Sequence, residues 1–343
     1  MIDSFIENID HLHDTIMVNT NLPKKTKKEI WLTIRRMKTN IQEYVKENSI
    51  AEIDGVNIQD MTFWDYLHKA QEGYTTFINE YDKIWRWKDG WLNVWTGYSG
   101  EGKSSWLYFL ILIKLLKDPN AKVAVFSPEN HPRNRFIKDW VKTILGYNPK
   151  HSTKLKCQKI IDQFNDRLFY VFPSNHDIDT IMEQFKTLIK INKVNITVID
   201  PYLQISKPTT VSDLTYLSTF LKKQAIFAKT YNISHHVVNH QVTPTKVEGT
   251  GDYIEPDMYK QKGGGNWADA SDVVSSVWRP YKKSDENNSE VIIKTQKSKD
   301  YDIFGLGELK LRFKKSKNRY FINEIDIFED AISNKHKSEL FTK

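Results

Sequence analysis

The stretch Gly97-Tyr98-Ser99-Gly100-Glu101-Gly102-Lys103-Ser104 matches the phosphate-loop pattern G-x-x-x-x-G-K-[ST] at every fixed position. Nothing else in the chain narrows the possible folds as far, because each fixed residue has a mechanical task. The glycines let the backbone turn tightly, so that several N–H groups point at one phosphate chain. Lys103 reaches the β- and γ-phosphates, and Ser104 offers a hydroxyl to Mg2+. The flanks agree with this reading. Trp91-Leu92-Asn93-Val94-Trp95-Thr96 reads as a strand, and 104–117 as an apolar-rich helix. The dipole and free amides of that helix's N-terminus favour an anion. Gly97, Ser99, Gly100, Gly102, Lys103, Ser104 and the next residue, Ser105, are the candidate nucleotide-binding residues.

From Trp91 onward, short apolar runs alternate with helical patterns. Strands are expected at 122–126, 168–172, 195–199, 235–239 and 273–278, with helices between them, for instance over 177–192 and 212–231. Such alternation implies a mostly parallel sheet covered on both faces. After Arg279 the pattern changes to antiparallel edge strands at 290–296, 308–313 and 320–326. A polar, mobile tail is expected after Phe328. Upstream, Ile30, Ile34, Met37, Ile41 and Tyr44 step by three or four along an amphipathic helix over 24–48. Its opening run, Lys24-Lys25-Thr26-Lys27-Lys28, reads as a solvated first turn. A turn at Glu52-Ile53-Asp54-Gly55 and a helix from Thr62 to Tyr81 follow. The chain thus divides into a helical accessory or oligomerisation region (1–80), an α/β domain (81–328) and a tail (329–343).

With 343 residues, 39% of them hydrophobic and 13% aromatic, the chain can bury a large core. The longest apolar run, Trp106 to Leu116, is broken by Lys114, so no membrane span is expected. Met1-Ile2-Asp3-Ser4 does not open a signal peptide. A single cysteine, Cys157, excludes an intramolecular disulfide framework and fits the reducing cytoplasm. A net charge of +7 and a pI of 9.0 suit a polyanionic partner, although a basic surface with no ligand accounts for the same excess.

Further candidates lie where the expected strands end. The apolar run Val194 to Ile199 closes on Asp200, placed to orient the Mg2+ shell beside the phosphate loop; capping of the next turn is the alternative. Phe126-Ser127-Pro128-Glu129-Asn130 ends another strand at the crevice side of the sheet. Glu129 there could polarise an attacking water, or be an ordinary exposed loop carboxylate. In His235-His236-Val237-Val238-Asn239-His240-Gln241, strand alternation sends His235 and His236 to opposite faces, which argues for structural roles and against a metal site. His240 and Gln241 fall past the strand, where they could sense a γ-phosphate. The segment from Gln241 to Trp267 lacks core periodicity and carries Lys246, Lys260, Lys262 and Gly263-Gly264-Gly265. A mobile, basic, glycine-bearing loop suits a nucleic-acid backbone; a disordered surface insertion is the alternative.

In this order, these segments resemble the RecA-fold hexameric replicative helicases of superfamily 4. The likeness is to DnaB-like proteins and the helicase module of Twinkle-type and phage primase–helicases, over roughly Tyr81 to Phe313. The lead-in strand, the phosphate loop, Phe126 to Asn130, Ile199-Asp200-Pro201-Tyr202, Gly263 to Asp272 and Arg279-Pro280 carry it. The resemblance implies a RecA-like P-loop NTPase core that hydrolyses ATP with Mg2+ and works as a homo-oligomeric ring, a hexamer, on single-stranded DNA. A separate primase or polymerase is an expected partner. It assigns Lys103 and Ser104 to phosphate and Mg2+, Glu129 to the catalytic carboxylate, Asp200 to the second acidic motif and His240 to the γ-phosphate sensor. Lys246, Lys260, Lys262 and Gly264 become DNA-contact candidates. The family's Lys-x-Arg pair, which acts in trans on a neighbour's nucleotide, corresponds here to Lys294-Thr295-Gln296-Lys297-Ser298-Lys299. Lys297 and Lys299 best keep the spacing to Gly305 and Gly307, but a lysine lacks arginine's planar fork. A recombinase or a weakly catalytic loading partner of the same fold is the alternative function. The Lys-, Asn- and Ile-rich composition suits an AT-rich genome such as a phage's, which would place the protein in a bacterial host's cytoplasm.

Overall fold

The computed structural model describes residues 22–48, 73–130, 133–242 and 245–332. By internal contacts the chain divides into two units, Met1–Lys69 and Ala70–Lys343. In the first, Lys24–Asn48 form a helix over the residues that the apolar spacing marks. The turn expected at 52–55 and residues 62–72 of the next expected helix lie outside the described residues. The remainder of that helix is corrected: over 73–78 the chain is irregular rather than helical, and Tyr74 pairs antiparallel with Trp87. Only Asn79–Asp82 is helical. The Asp82 carboxylate accepts from the Thr76 amide at 2.7 Å and from the Thr76 hydroxyl at 2.6 Å, which holds this approach in place. Ile78 and Tyr81 are buried in the core of the larger unit.

That unit is built on one ten-stranded sheet. Its strands are β1 (Leu92–Thr96), β2 (Val123–Phe126), β3 (Leu168–Val171), β4 (Ile196–Ile199), β5 (Ser234–Val238), β6 (Val273–Trp278), β7 (Glu290–Ser298), β8 (Gly307–Lys314), β9 (Arg319–Ile322) and β10 (Ile325–Asp326). The spatial order is β10-β9-β8-β7-β6-β1-β5-β4-β2-β3. Strands from β3 to β6 in that row run parallel, and β7 to β10 continue the sheet antiparallel. The α/β fold is the expected one, with a mostly parallel core and antiparallel edge strands.

Period-two alternation splits the strand side chains between two cores. Trp95, Val123, Val125, Ile196 and Val198 face one core; Leu92, Val94, Ala124, Phe126 and Ile199 face the other. The first core is closed by the helix Lys103–Lys117, in which every residue from Trp106 to Leu116 is buried. Lys114, the break in that apolar run, is neutralised by Asp118 at 2.8 Å. The second core is closed by the helices Ile178–Asn192 and Asp213–Tyr231, capped by the side chains of Asp177 and Ser212.

The C-terminal segment departs from its expectation. Residues 333–343 lie outside the described residues, but the chain is still packed beyond Phe328. Ile327–Ala331 form a helical turn, and Ala331 and Ile332 are buried. Arg319, itself 2% exposed, fastens this end. Its guanidinium donates to the Thr143 carbonyl at 2.6 Å and the Ile144 carbonyl at 3.0 Å, and pairs with Asp326 and Glu329.

Candidate nucleotide and polynucleotide site

The parallel strands deliver their following residues to one end of the sheet, the crevice where open α/β folds bind ligands. The phosphate loop leaves β1 there. Gly97 has φ +148°, and a Cβ on it would lie 2.4 Å from the Val277 carbonyl oxygen, so β6 itself demands glycine. Gly102 begins the helix at φ +100°. Ser99, Gly100 and Ser105 are exposed, while Lys103 is buried at the loop's centre. The Lys103 ammonium donates to the carbonyls of Gly97 (3.0 Å) and Tyr98 (2.9 Å). Burial draws its pKa down to about 8, against the opposing pull of Asp200, Glu101 and Glu129.

Asp200 directly follows β4, is 3% exposed and is joined to the phosphate loop through Ser104. Its Oδ1 accepts from Ser104 Oγ at 2.9 Å, and its Oδ2 from Tyr108 Oη and, at 3.4 Å, Ser127 Oγ. Burial raises the Asp200 pKa, while Tyr108, Ser104 and Lys103 oppose the rise. A hydroxyl and a carboxylate in contact at the foot of a phosphate loop form a hard-oxygen set that fits Mg2+, which binds through one or two carboxylates with water and phosphate. Ser127 directly follows β2, and Glu129 is the exposed residue of the 3-10 turn Pro128–Asn130. Gln204 Nε2 reaches Glu129 Oε1 at 3.4 Å. After β5 comes His240, whose pKa burial lowers to about 4, with the Lys103 and Lys262 charges adding to the fall. It is therefore neutral at pH 7. Gln241, by contrast, is a buried tie: its Nε2 donates to Thr96 Oγ1 at 3.0 Å and to the Asp257 carbonyl at 2.9 Å.

The two histidines inside β5 are packing residues on opposite faces. His235 contacts Thr197 Oγ1 at 2.7 Å and Gln224 Oε1 at 2.9 Å. His236 Nδ1 accepts from Trp95 Nε1 at 3.1 Å among Trp85 and Trp87. Burial depresses both pKa values, that of His235 to about 3. Among the described residues no cluster of three or more His, Cys, Asp or Glu side chains is placed to hold a metal ion.

The segment after Gln241, expected to be a mobile loop, is instead cross-braced. Gln241 bridges Gln261, and Lys246 bridges Tyr253. The Lys262 amide donates to the His240 carbonyl at 2.8 Å. Trp267 Nε1 and Asn239 Nδ2 both donate to the Lys262 carbonyl. Lys246, Lys260 and Lys262 are exposed on this frame.

The structure does not bring Lys297 and Lys299 to this crevice. β7 runs against β6, so Lys297 is level with Val274, whereas the phosphate-loop end of β1 is level with Ser276 and Lys294. Lys297 Nζ donates to the carbonyls of Ala268 and, at 2.7 Å, Ser271, closing the short helix Asn266–Ala270. Lys299 pairs with Asp272 at 3.1 Å.

Sequence reading passed over several residues of the site. Tyr108 lies one helical turn beyond Ser104, a spacing that could have suggested its contact with the strand-end carboxylate. Glu101 occupies a wildcard position of the motif, yet it is 1% exposed. Its carboxylate accepts from the Arg279 amide at 2.6 Å and pairs with Lys282 at 3.2 Å. Lys282 also donates to the Gly100 carbonyl at 2.9 Å, bracing the loop from the β6–β7 connection.

Fold and loop geometry together define a RecA-like domain fold. No protein-family model and no curated protein matches the sequence. Solved structures do match. One is an ATPase domain, with TM-score 0.61 and 14% identity, over 75% of this chain and 94% of that one. Another is a DnaB-like replicative helicase described with its interactions with primase, with TM-score 0.64 and 16% identity, over 88% of this chain and 80% of that one. The likeness is one of fold: this chain has the RecA-like fold of DnaB-like replicative helicases.

Proposed function

We propose that this protein is an ATP-dependent replicative DNA helicase that assembles as a ring of six subunits, translocates on single-stranded DNA and separates duplex. The observation that carries the reading is the convergence at one sheet end of Lys103, the Ser104–Asp200 pair and His240. In this reading Lys103 neutralises the transferred phosphate, and Ser104 and Asp200 hold Mg2+. When bound there, Mg2+ would supply charge neutralisation of the phosphates. Glu129, which follows β2 at the same end of the sheet and is contacted by Gln204 at 3.4 Å, orients and deprotonates the attacking water. A neutral His240 contacts the γ-phosphate by hydrogen bond and passes its presence to Lys262 through the backbone bond between them. The lysines of that braced segment take the DNA backbone. The DnaB-like neighbour described with primase makes a primase the first partner to test.

ATP turnover with and without single-stranded DNA, combined with strand displacement, tests the proposal. Wild type should show DNA-stimulated turnover and unwinding. Lys103→Ala should abolish turnover, and Glu129→Gln should bind ATP while losing about 10²-fold or more in rate, as for removal of a positioned base. Strand pairing without unwinding would identify a recombinase instead, and negligible turnover a loading partner. If Glu129→Gln fails to bind ATP, its assignment as the base is wrong.

A further inference from the structure

Within the braced segment, burial is inverted relative to hydropathy. Gln261, a polar side chain, is fully buried, while the ring of Tyr259 is 57% exposed. Lys260 and Lys262 flank Gln261 and are exposed. The buried amide is the informative departure, since glutamine side chains are mostly exposed. The backbone enforces the inversion. The Tyr259 amide donates to Asp257 Oδ1 at 2.8 Å. The Lys260 amide donates to the Asp257 carbonyl at 3.0 Å, and Val242 donates to the Lys260 carbonyl at 2.9 Å. The Asp257 carbonyl is itself held by Gln241 at 2.9 Å. Tyr259 is thus an exposed ring on a rigid mount. Its Cδ1 lies 3.5 Å from where a Cβ on Gly265 would sit, so the ring edge lies against Gly265, and a Cβ on Gly264 would meet open space. Glycine lets another molecule approach this backbone closely.

We propose that Tyr259 is a stacking platform for a base of single-stranded DNA, next in the chain to Lys260 and close to Lys262, whose exposed ammonium groups take the phosphates. The inference rests on the helicase reading and adds to it a contact with the base. Every base has a π-face, so stacking of this kind is indifferent to sequence, as a translocating protein requires. It does not replace the lysines, whose contribution is ionic and salt-dependent. The same mount links the platform to the nucleotide site, because Lys262 is bonded to the His240 carbonyl.

The test measures binding of full-length protein, with Mg2+ and a non-hydrolysable ATP analogue, to oligo(dT) and to an abasic strand of equal length. Tyr259→Ala should weaken oligo(dT) binding by about 5- to 10-fold, the low end of what one stacked base contributes. It should leave abasic-strand binding and the salt slope unchanged. Tyr259→Phe keeps the ring and should bind oligo(dT) like wild type. Lys262→Ala should weaken both strands alike and flatten the salt slope by about 0.7. Equal losses on both strands for Tyr259→Ala, or no loss on either, overturn the platform while leaving the helicase reading intact. Absence of salt-dependent binding by wild type overturns both.

Discussion

Lys103 is held by the carbonyls of its own loop, and this has a consequence in pH. Burial sets its pKa at about 8. A bound polyphosphate places negative charge against the ammonium and raises that pKa. Above pH 8 the free protein has lost the proton that the complex needs, so nucleotide binding must take one up. Affinity for an ATP analogue should therefore be flat below about pH 7.5 and fall by up to about tenfold per pH unit above about pH 8. Titrations of a fluorescent analogue across that range measure it, with Lys103→Arg as the control that removes the dependence. A dissociation constant that does not move up to about pH 9.5 would show that Lys103 stays charged in the free protein.

At the level of elements, Lys297 joins β7 to the helix Asn266–Ala270 through three carbonyls, those of Ala268, Asp269 and Ser271. An ammonium at a helix C-terminus satisfies carbonyls that the helix cannot. Lys297→Ala should cost about 1–2 kcal/mol of stability in denaturant unfolding, the scale of hydrogen bonds to a charged group. Lys299→Ala removes an exposed ammonium from the buried Asp272 carboxylate, which keeps the Leu92 amide as a donor at 2.9 Å, and should cost about 1 kcal/mol. Equal, negligible costs would mean that Lys297 does not cap the helix in solution. The sequence revealed such elements unevenly. Strand positions followed from alternation, and Asp177 and Ser212 stood at the helix starts they cap. The order of the segment from Gln241 to Trp267 did not show, because buried polar groups such as Gln241, Asp252 and Gln261 hold it. Their bonds to distant backbone leave no hydrophobic period. Tyr74 defeated its expected helix for a related reason, since its partner Trp87 is a pairing neighbour rather than a periodic one. At the site, the motif residues and strand-end acids were legible, whereas Glu101 and Lys282 depend on a tertiary contact between wildcard positions.

For the molecule as a whole, the question is where its half-sites lie. If these lysines act in trans in the proposed ring, a Lys297→Ala, Lys299→Ala double variant should bind ATP but hydrolyse it poorly, and Lys103→Ala alone should be inactive. Mixing the two should restore part of the turnover, since some interfaces then pair an intact phosphate loop with an intact neighbouring lysine. The transition state spreads charge over the γ-phosphoryl oxygens, where a neighbour's cation is most effective. Full activity of the double variant alone would remove both lysines from the reaction and turn attention to Arg279 or Arg312. The reversal of direction between β6 and β7 gives this arrangement a geometric meaning. It sends the phosphate loop to one end of the sheet and Lys297 toward the other. Two complementary halves held apart on one body cannot meet within it and must meet between copies. Where they meet head to tail, as in the proposed ring, the contact repeats until its rotation closes a circle or winds on as a filament. The reversal of a single strand would thereby give the protein a polarity, a front that accepts and a back that donates, which any one-way motor needs.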